Sequence, residues 1–258
     1  MGPGRDVPEW GRAPRRRPLV IAHRGASAIE PENSVAAFRR AAASGADGVE
    51  LDVLCCATGE AVVFHDQDLA RLANRPDRVA ALSLADLRAV KLASGAGIST
   101  LAEALEACGP RLLVNIELKA SRLFDRTIAR LVERTAAVVR ETGVGARVLM
   151  SSFHPWAVAL WTRQAPDVPA ALLFESQAPL PLRRAWALHG LRVFAVHPEA
   201  TLCTPESVRR WHDAGYAVNT WTVDDPRRLR ALRGMGVDGI ITNDPAAARA
   251  ALAGDQSE

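Results

Sequence analysis

Eight short apolar runs of strand character alternate with helical patterns along almost the whole chain, and few topologies can absorb that order. The strand runs fall at residues 18–23, 48–53, 111–117, 147–152, 169–174, 192–197, 217–222 and 238–242. Helical patterns lie between them at 33–44, 100–108, 124–141, 155–165, 180–189, 204–214 and 225–234, with a last one at 245–253. Parallel neighbours need a crossover, usually a helix, so eight strands with eight helices predict an α/β fold, a (β/α)8 TIM barrel. A length of 258 residues is large for an average domain but normal for this barrel. Local signals agree. Asn33 is placed to cap the helix that Gly45 ends, and Thr204-Pro205 and Asp225-Pro226 each read as a cap followed by proline in the first turn.

A ninth apolar run at 61–66 exceeds the eight-strand count. Thr58-Gly59 lies midway between Asp52 and His65, so residues 52–65 are expected to fold back as an antiparallel hairpin. Residues 54–99 are then a small insertion after the second barrel strand, on the face where barrel enzymes keep their active sites. The expected organisation is a disordered leader over 1–17 and a barrel domain over 18–253.

Composition narrows the functional classes. A net charge of +3 is too small to argue for nucleic acid, and the basic cluster Arg15-Arg16-Arg17 reads as a solvated tail. No apolar run approaches the roughly 18 residues of a spanning helix, and Pro18–Ala22 is too short for a signal-peptide core. A cytoplasmic protein without stable membrane insertion is expected. Cys55, Cys56, Cys108 and Cys203 form no Cys-x-x-Cys pair and read as small buried hydrophobes. Gly95-Ala96-Gly97 and Gly143-Val144-Gly145 lack the third glycine and the setting of a dinucleotide loop.

The chemistry concentrates at strand ends. Val49, Leu51 and Val53 alternate with Glu50 and Asp52, and Val114, Ile116 and Leu118 alternate with Asn115, Glu117 and Lys119. In a barrel the apolar set packs under the helices and the polar set points into the upper lumen. An antiparallel sheet with one wet face gives the same alternation, but the intervening helical patterns favour the barrel. Glu50, Asp52 and Glu117 make an all-oxygen donor set, which selects one hard cation, Mg2+ or Ca2+, over zinc. His23 and His65 titrate near neutral pH and suit general acid–base work. Arg24 offers a planar fork for phosphate oxygens, and Gly25 lets the chain turn beside it. Together these residues suit metal-assisted chemistry on a phosphate ester, with His65 on the inserted hairpin as the expected acid.

The motifs His23-Arg24-Gly25, Pro31-Glu32-Asn33-Ser34, Glu50-x-Asp52, His65-Asp66 and Glu117-x-Lys119 resemble the signature of the glycerophosphodiester phosphodiesterase family. Ser152-Phe153, Trp221-Thr222 and the run Asp238 to Pro245 continue the resemblance, which covers about residues 18–247. It implies hydrolysis of a small-molecule glycerophosphodiester to glycerol 3-phosphate and an alcohol. It further implies metal ligation by Glu50, Asp52 and Glu117, and acid–base catalysis by His23 and His65. Arg24 and Lys119 match phosphate-side cations, Glu32 a neighbour of that shell, and Trp221 a wall for the organic part. Thr58-Gly59 replaces the family's Asp-Gly turn, and the stretch from Asn74 to Gly97 lacks its Gly-rich run.

Two other functions compete: a relative acting on lysophospholipids or cyclising its substrate, and a ligand-binding barrel without catalysis. Keeping two histidines beside three acids argues against the second, since a binder needs no proton-transfer pair. His154 and His197 are weaker candidates for the pocket lining. His189 and His212 read as helix-end residues, and Trp156, Trp161, Trp186 and Trp211 as helix-packing residues.

Overall fold

The computed structural model describes Trp10 and residues 17–120, 126–183 and 190–253. Arg15, Arg16, Trp186, His189 and most of the leader expected over 1–17 lie outside these residues. In chain order the strands are β1 (Leu19–His23), β2 (Gly48–Cys55), β3 (Ala61–Val63), β4 (Ser99–Thr100), β5 (Leu113–Leu118), β6 (Val148–Ser152), β7 (Ala170–Phe174), β8 (Ala195–Pro198), β9 (Ala217–Thr220) and β10 (Gly239–Thr242). All but β3 and β4 pair in parallel, in the order β1-β2-β5-β6-β7-β8-β9-β10, and β10 returns to β1. The barrel is therefore closed, as the alternating pattern predicts. The helices are α1 (Val35–Ala43), α2 (Ala70–Ala73), α3 (Leu84–Ala89), α4 (Leu101–Cys108), α5 (Arg126–Glu141), α6 (Pro155–Gln164), α7 (Leu180–Arg183), α8 (Pro205–Asp213), α9 (Pro226–Met235) and α10 (Pro245–Ala253). None is long and apolar enough to cross a membrane among the described residues.

The period-two pattern of β2 and β5 is realised as expected. Val49, Leu51, Val53, Val114, Ile116 and Leu118 are buried in the layer between strands and helices. Each such side chain contributes about 1.5–3 kcal/mol by leaving water. The opposite set enters the lumen. Its floor is apolar, built from Leu19, Ile21, Leu113, Leu149 and Ile241, with Trp10 packed against it. Trp10 Nε1 donates to the Arg147 carbonyl (2.8 Å), which satisfies its one polar atom. Farther along the strands than this floor come His23, Asn115 and Glu117, so the strand ends carry the chemistry while the base supplies packing.

The hairpin forms: Val53, Leu54 and Cys55 pair antiparallel with Val63, Val62 and Ala61, around Gly59 at φ 100°. Leu54, Val62, Phe64, Leu69, Leu87 and Ile98 give the inserted segment a small core of its own. The strand ends at Val63 rather than residue 66, so His65 lies in the bend beyond it. Phe64 N–H donates to the Asp52 carbonyl (3.0 Å), which keeps that bend beside β2.

Helix caps form as expected at Thr204 and Asp225, but not at Asn33. Ser34 caps α1, its hydroxyl accepting from Ala37 N–H at 3.1 Å, while Asn33 adopts φ 56° and faces β2. A carboxylate partner outweighs the cap for this amide, and the adjacent serine takes its place. Strand β8 begins at Ala195 instead of residue 192, because Arg192 at φ 47° cannot continue a ladder.

Candidate active site

β1 ends at His23 because Arg24 (φ 55°) and Gly25 (φ 82°) both take left-handed conformations. A regular strand would aim Arg24 away from the lumen; this turn brings it back over β2. A Cβ on Gly25 would sit 2.5 Å from Ala37 Cβ, so only glycine fits. Arg24 N–H donates to Glu50 Oε2 (3.0 Å), and its Nη1 donates to Glu32 Oε1 (2.9 Å). Its Nε lies 3.3 Å from Asp52 Oδ2, close enough for charge pairing but not aligned as a hydrogen bond.

Strand register assembles the acids. His23 sits beside Glu50, and Asp52 beside Glu117. One oxygen from each of Glu50, Asp52 and Glu117 lies within 4.8 Å of the others, and all three residues are buried. Lys119 Nζ donates to Glu117 Oε1 (2.7 Å) and lies 3.4 Å from Asp52 Oδ1. Asn33 Nδ2 donates to Asp52 Oδ2 (2.8 Å).

Three acids thus face two cations. Burial pushes the Glu50 carboxyl well up, and repulsion from Asp52 and Glu117 adds to it. Burial and the Asp52 charge push Glu117 up to about 7 despite Lys119. Burial alone would lower Lys119, but Glu117 and Asp52 outweigh it and raise the ammonium. Glu50 Oε1 is buried with no hydrogen-bond partner among the described residues. An unpartnered oxygen in a crowded, all-oxygen acid cluster suits a divalent cation, which would relieve both the repulsion and the missing bond.

The two histidines have different partners. His23 Nδ1 lies 2.7 Å from Asn243 Oδ1, which also accepts from Ser27 Oγ (3.0 Å). Asn243 Nδ2 donates to Asp224 Oδ2 (2.6 Å), so its oxygen must face the ring. An oxygen only accepts, so Nδ1 carries the proton and Nε2 keeps its lone pair. Burial and then the Arg24 charge lower the His23 pKa, which favours the neutral ring. His65 Nδ1 instead donates to Asp66 Oδ1 (2.6 Å), and Asp66 Oδ2 accepts from Arg71 Nε (2.7 Å). The Arg71 fork grips both Glu32 oxygens at 2.7 and 2.9 Å. Glu32 therefore joins Arg24 on the barrel to Arg71 on the insertion. Burial alone would raise Glu32, yet the two guanidiniums hold it low.

One cavity of about 260 Å³ collects these groups. His23, Arg24, Glu50, His65, Asn115, Glu117 and Lys119 come from β1, β2, β5 and the insertion, and Phe153, Leu173, Glu175, Trp221, Thr222 and Ile241 from β6, β7, β9 and β10 and the turns after them. Asp52 and Glu32 stand behind and touch Arg24. A larger groove of about 750 Å³ beside α1 and α4 contains neither histidine nor any of the clustered acids.

His154 and His197 do not line the cavity. His154 caps α6 by accepting from Trp156 N–H (3.2 Å). His197 is fully buried, its Nε2 accepting from Asn219 Nδ2 (3.0 Å), and burial pushes its pKa down to about 3. His212 pairs with Asp238 at 2.8 Å in the last turn of α8. Trp161 and Trp211 are buried packing residues, whereas Trp156 is 36% exposed. Sequence reasoning missed the roles of Asn33, Asp66, Arg71 and Asn243. Only Asp66 left a local sign, its place directly after His65.

The geometry defines a (β/α)8 barrel whose mouth unites a cation-suited acid cluster, two histidines, Arg24 and Lys119. Residues 23–247 match the glycerophosphoryl diester phosphodiesterase family. A glycerophosphodiester phosphodiesterase from Caldanaerobacter subterraneus is 34% identical over 235 residues, spanning 88% of this chain and 94% of its own. A solved structure from Silicibacter pomeroyi has a TM-score of 0.84 at 29% identity, covering 92% of this chain and 95% of that one. The glycerophosphodiester phosphodiesterase of Thermotoga maritima has a TM-score of 0.73 at 26% identity, with coverages of 89% and 96%. The chain belongs to the glycerophosphoryl diester phosphodiesterase family.

Proposed function

We propose that the chain hydrolyses glycerophosphodiesters to glycerol 3-phosphate and an alcohol, with His23 and His65 moving the protons. The observation that carries this reading is the convergence of both histidines, Glu50, Glu117, Arg24 and Lys119 on one cavity of about 260 Å³, with Asp52 clustered behind the two acids. Family membership supports the substrate class. Glu50, Asp52 and Glu117 would hold one divalent cation, Mg2+ or Ca2+. Bound there, it would neutralise a phosphate oxygen and favour the deprotonated form of a hydroxyl.

The remaining work falls to this chain's own side chains. Arg24 and Lys119 present cationic donors for the other phosphate oxygens, the arginine as a fork. His23, neutral and with a free Nε2 lone pair, takes a proton from the attacking water, whose oxygen forms the new bond to phosphorus as the bond to the alcohol breaks. His65, held at Nδ1 by Asp66, gives a proton from Nε2 to the departing alkoxide. Two groups are needed because one step removes a proton while the other supplies it.

A lysophospholipid substrate draws support from one feature, the exposed apolar residues Phe153 (40%) and Trp156 (36%) after β6. The deciding experiment is a panel of glycerophosphodiesters and lysophospholipids, assayed for released glycerol 3-phosphate and alcohol with Mg2+, Ca2+ or chelator. Release of glycerol 3-phosphate from diesters, lost with chelator, is expected. Turnover of lysophospholipids alone would favour the second reading, and turnover of neither would overturn both.

A further inference from the structure

The side of the cavity facing away from the acids has its own chemistry. Along β7 the lumen-facing positions are Ala171 and Leu173, and the same period carries Glu175 to the rim, where it lines the cavity. Phe153 and Trp221 line the same cavity and pack edge to face, with ring centroids 5.4 Å apart and planes at 86°. Trp221 is locked in place by Nε1 donating to the His197 carbonyl at 2.8 Å. Among the described residues no Lys, Arg or His pairs with the Glu175 carboxylate. The neighbouring acids differ: Glu32, Asp66 and Glu117 each hold a cation. Arg24, the cation that follows β1, lies half-way round the barrel from β7 in the strand order, and Lys119 follows β5, two strands away.

We infer that this wall is a subsite for a quaternary ammonium alcohol, so that Glu175, Phe153 and Trp221 make the chain select choline-type diesters. The inference rests on the proposed diester hydrolysis and names the alcohol that this site prefers. An ammonium whose charge is spread over methyl groups is weakly hydrated and is attracted both to ring faces and to a nearby carboxylate. An edge-to-face pair leaves ring faces available for that contact. A plain apolar alcohol would satisfy the rings but strip water from Glu175 without replacing it, which costs free energy. A neutral polyol would gain little from either ring. The division also suits the zwitterionic diester as a whole, its phosphate lying toward Arg24 and Lys119 and its cation toward Glu175.

The test uses two diesters of the same shape, glycerophosphocholine and its uncharged 3,3-dimethylbutyl counterpart. Choline is the better leaving group, so the informative quantity is how a variant changes the ratio of their kcat/KM values. Glu175→Gln should reduce that ratio about tenfold, mainly through KM for the choline ester, and Phe153→Leu should reduce it in the same sense. In the wild-type enzyme, tetramethylammonium should inhibit hydrolysis of glycerophosphoglycerol competitively, and 3,3-dimethylbutanol should not. That arm depends on no variant folding. A ratio unmoved by Glu175→Gln, or equal inhibition by the two small molecules, would overturn the subsite and leave diester hydrolysis standing. Absence of turnover with every diester would instead overturn the reading on which the subsite rests.

Discussion

His23 and His65 meet at one cavity but come from different parts of the molecule and are held in different ways. His23 ends barrel strand β1 and is oriented by a neutral amide that Asp224 fixes from behind. His65 follows a three-residue strand in the insertion and is oriented by a carboxylate. The first arrangement depends on strand pairing throughout the barrel. The second depends on one arginine, Arg71, which ties Asp66 to Glu32 across the boundary between insertion and barrel. An amide partner suits a ring that stays neutral until it accepts a proton. A carboxylate partner suits a ring that must hold a second proton before giving one up.

The largest expected effect lies beneath both histidines. Glu50→Gln or Glu117→Gln should reduce turnover to background and weaken Mg2+ or Ca2+ binding in calorimetric titration, with the fold retained. Removing a charge relieves repulsion among the buried acids, so the variants should melt no lower than wild type without added metal. Unchanged metal affinity in both would remove them from the ligand set.

Next in size is Asp66→Asn, which removes the charged partner of His65 and nothing from His23. The loss of a charged hydrogen bond, about 1.5–3 kcal/mol, corresponds to about 10- to 100-fold in kcat. Wild-type kinetics would show that the carboxylate does not govern His65. Arg71→Lys should cost less, about 3- to 10-fold, because half of that side chain is exposed and solvent screens it. Added guanidinium ion should recover part of an Arg71→Ala defect; no recovery at any concentration would deny Arg71 its positioning role.

A third histidine sharpens the contrast through stability instead of rate. His197 is buried neutral, with its folded pKa down at about 3 against an ordinary value of 6.5. Its contribution is therefore intact above pH 6.5 and is lost as pH falls from there toward 3, by up to about 1.4 kcal/mol per unit. His197→Gln, which keeps an acceptor for Asn219, should flatten the fall of melting temperature between pH 6 and pH 4 (about the range where the unfolded ring takes up its proton). An equally steep fall in the variant would assign the acid sensitivity to other groups.

The barrel and the acid cluster were legible in the sequence because both follow short periods. Glu50-x-Asp52 and Glu117-x-Lys119 sit on strands whose apolar partners fix which way they point, and parallel register then brings Asp52 beside Glu117. The clamp around His65 was not legible. Arg71 lies 39 residues from Glu32, and no local rule joins an exposed helix arginine to a loop acid that far away. Asn33 misled for the opposite reason. A strong local preference for asparagine at helix starts pointed to a cap, while its actual partner, Asp52, is 19 residues on. His154 and His197 show that a histidine at a strand end can serve packing and capping alone.

The central claim, two histidines with separate proton-transfer roles, is tested most directly by changing the leaving group. Replacing either His23 or His65 by alanine should lower turnover of glycerophosphocholine by about 10²–10⁴. A nitrophenyl diester departs without a proton donor, so it should restore most of the rate of His65→Ala and little of the rate of His23→Ala. Equal rescue of both variants, or rescue of neither, would contradict the division of labour between the two rings.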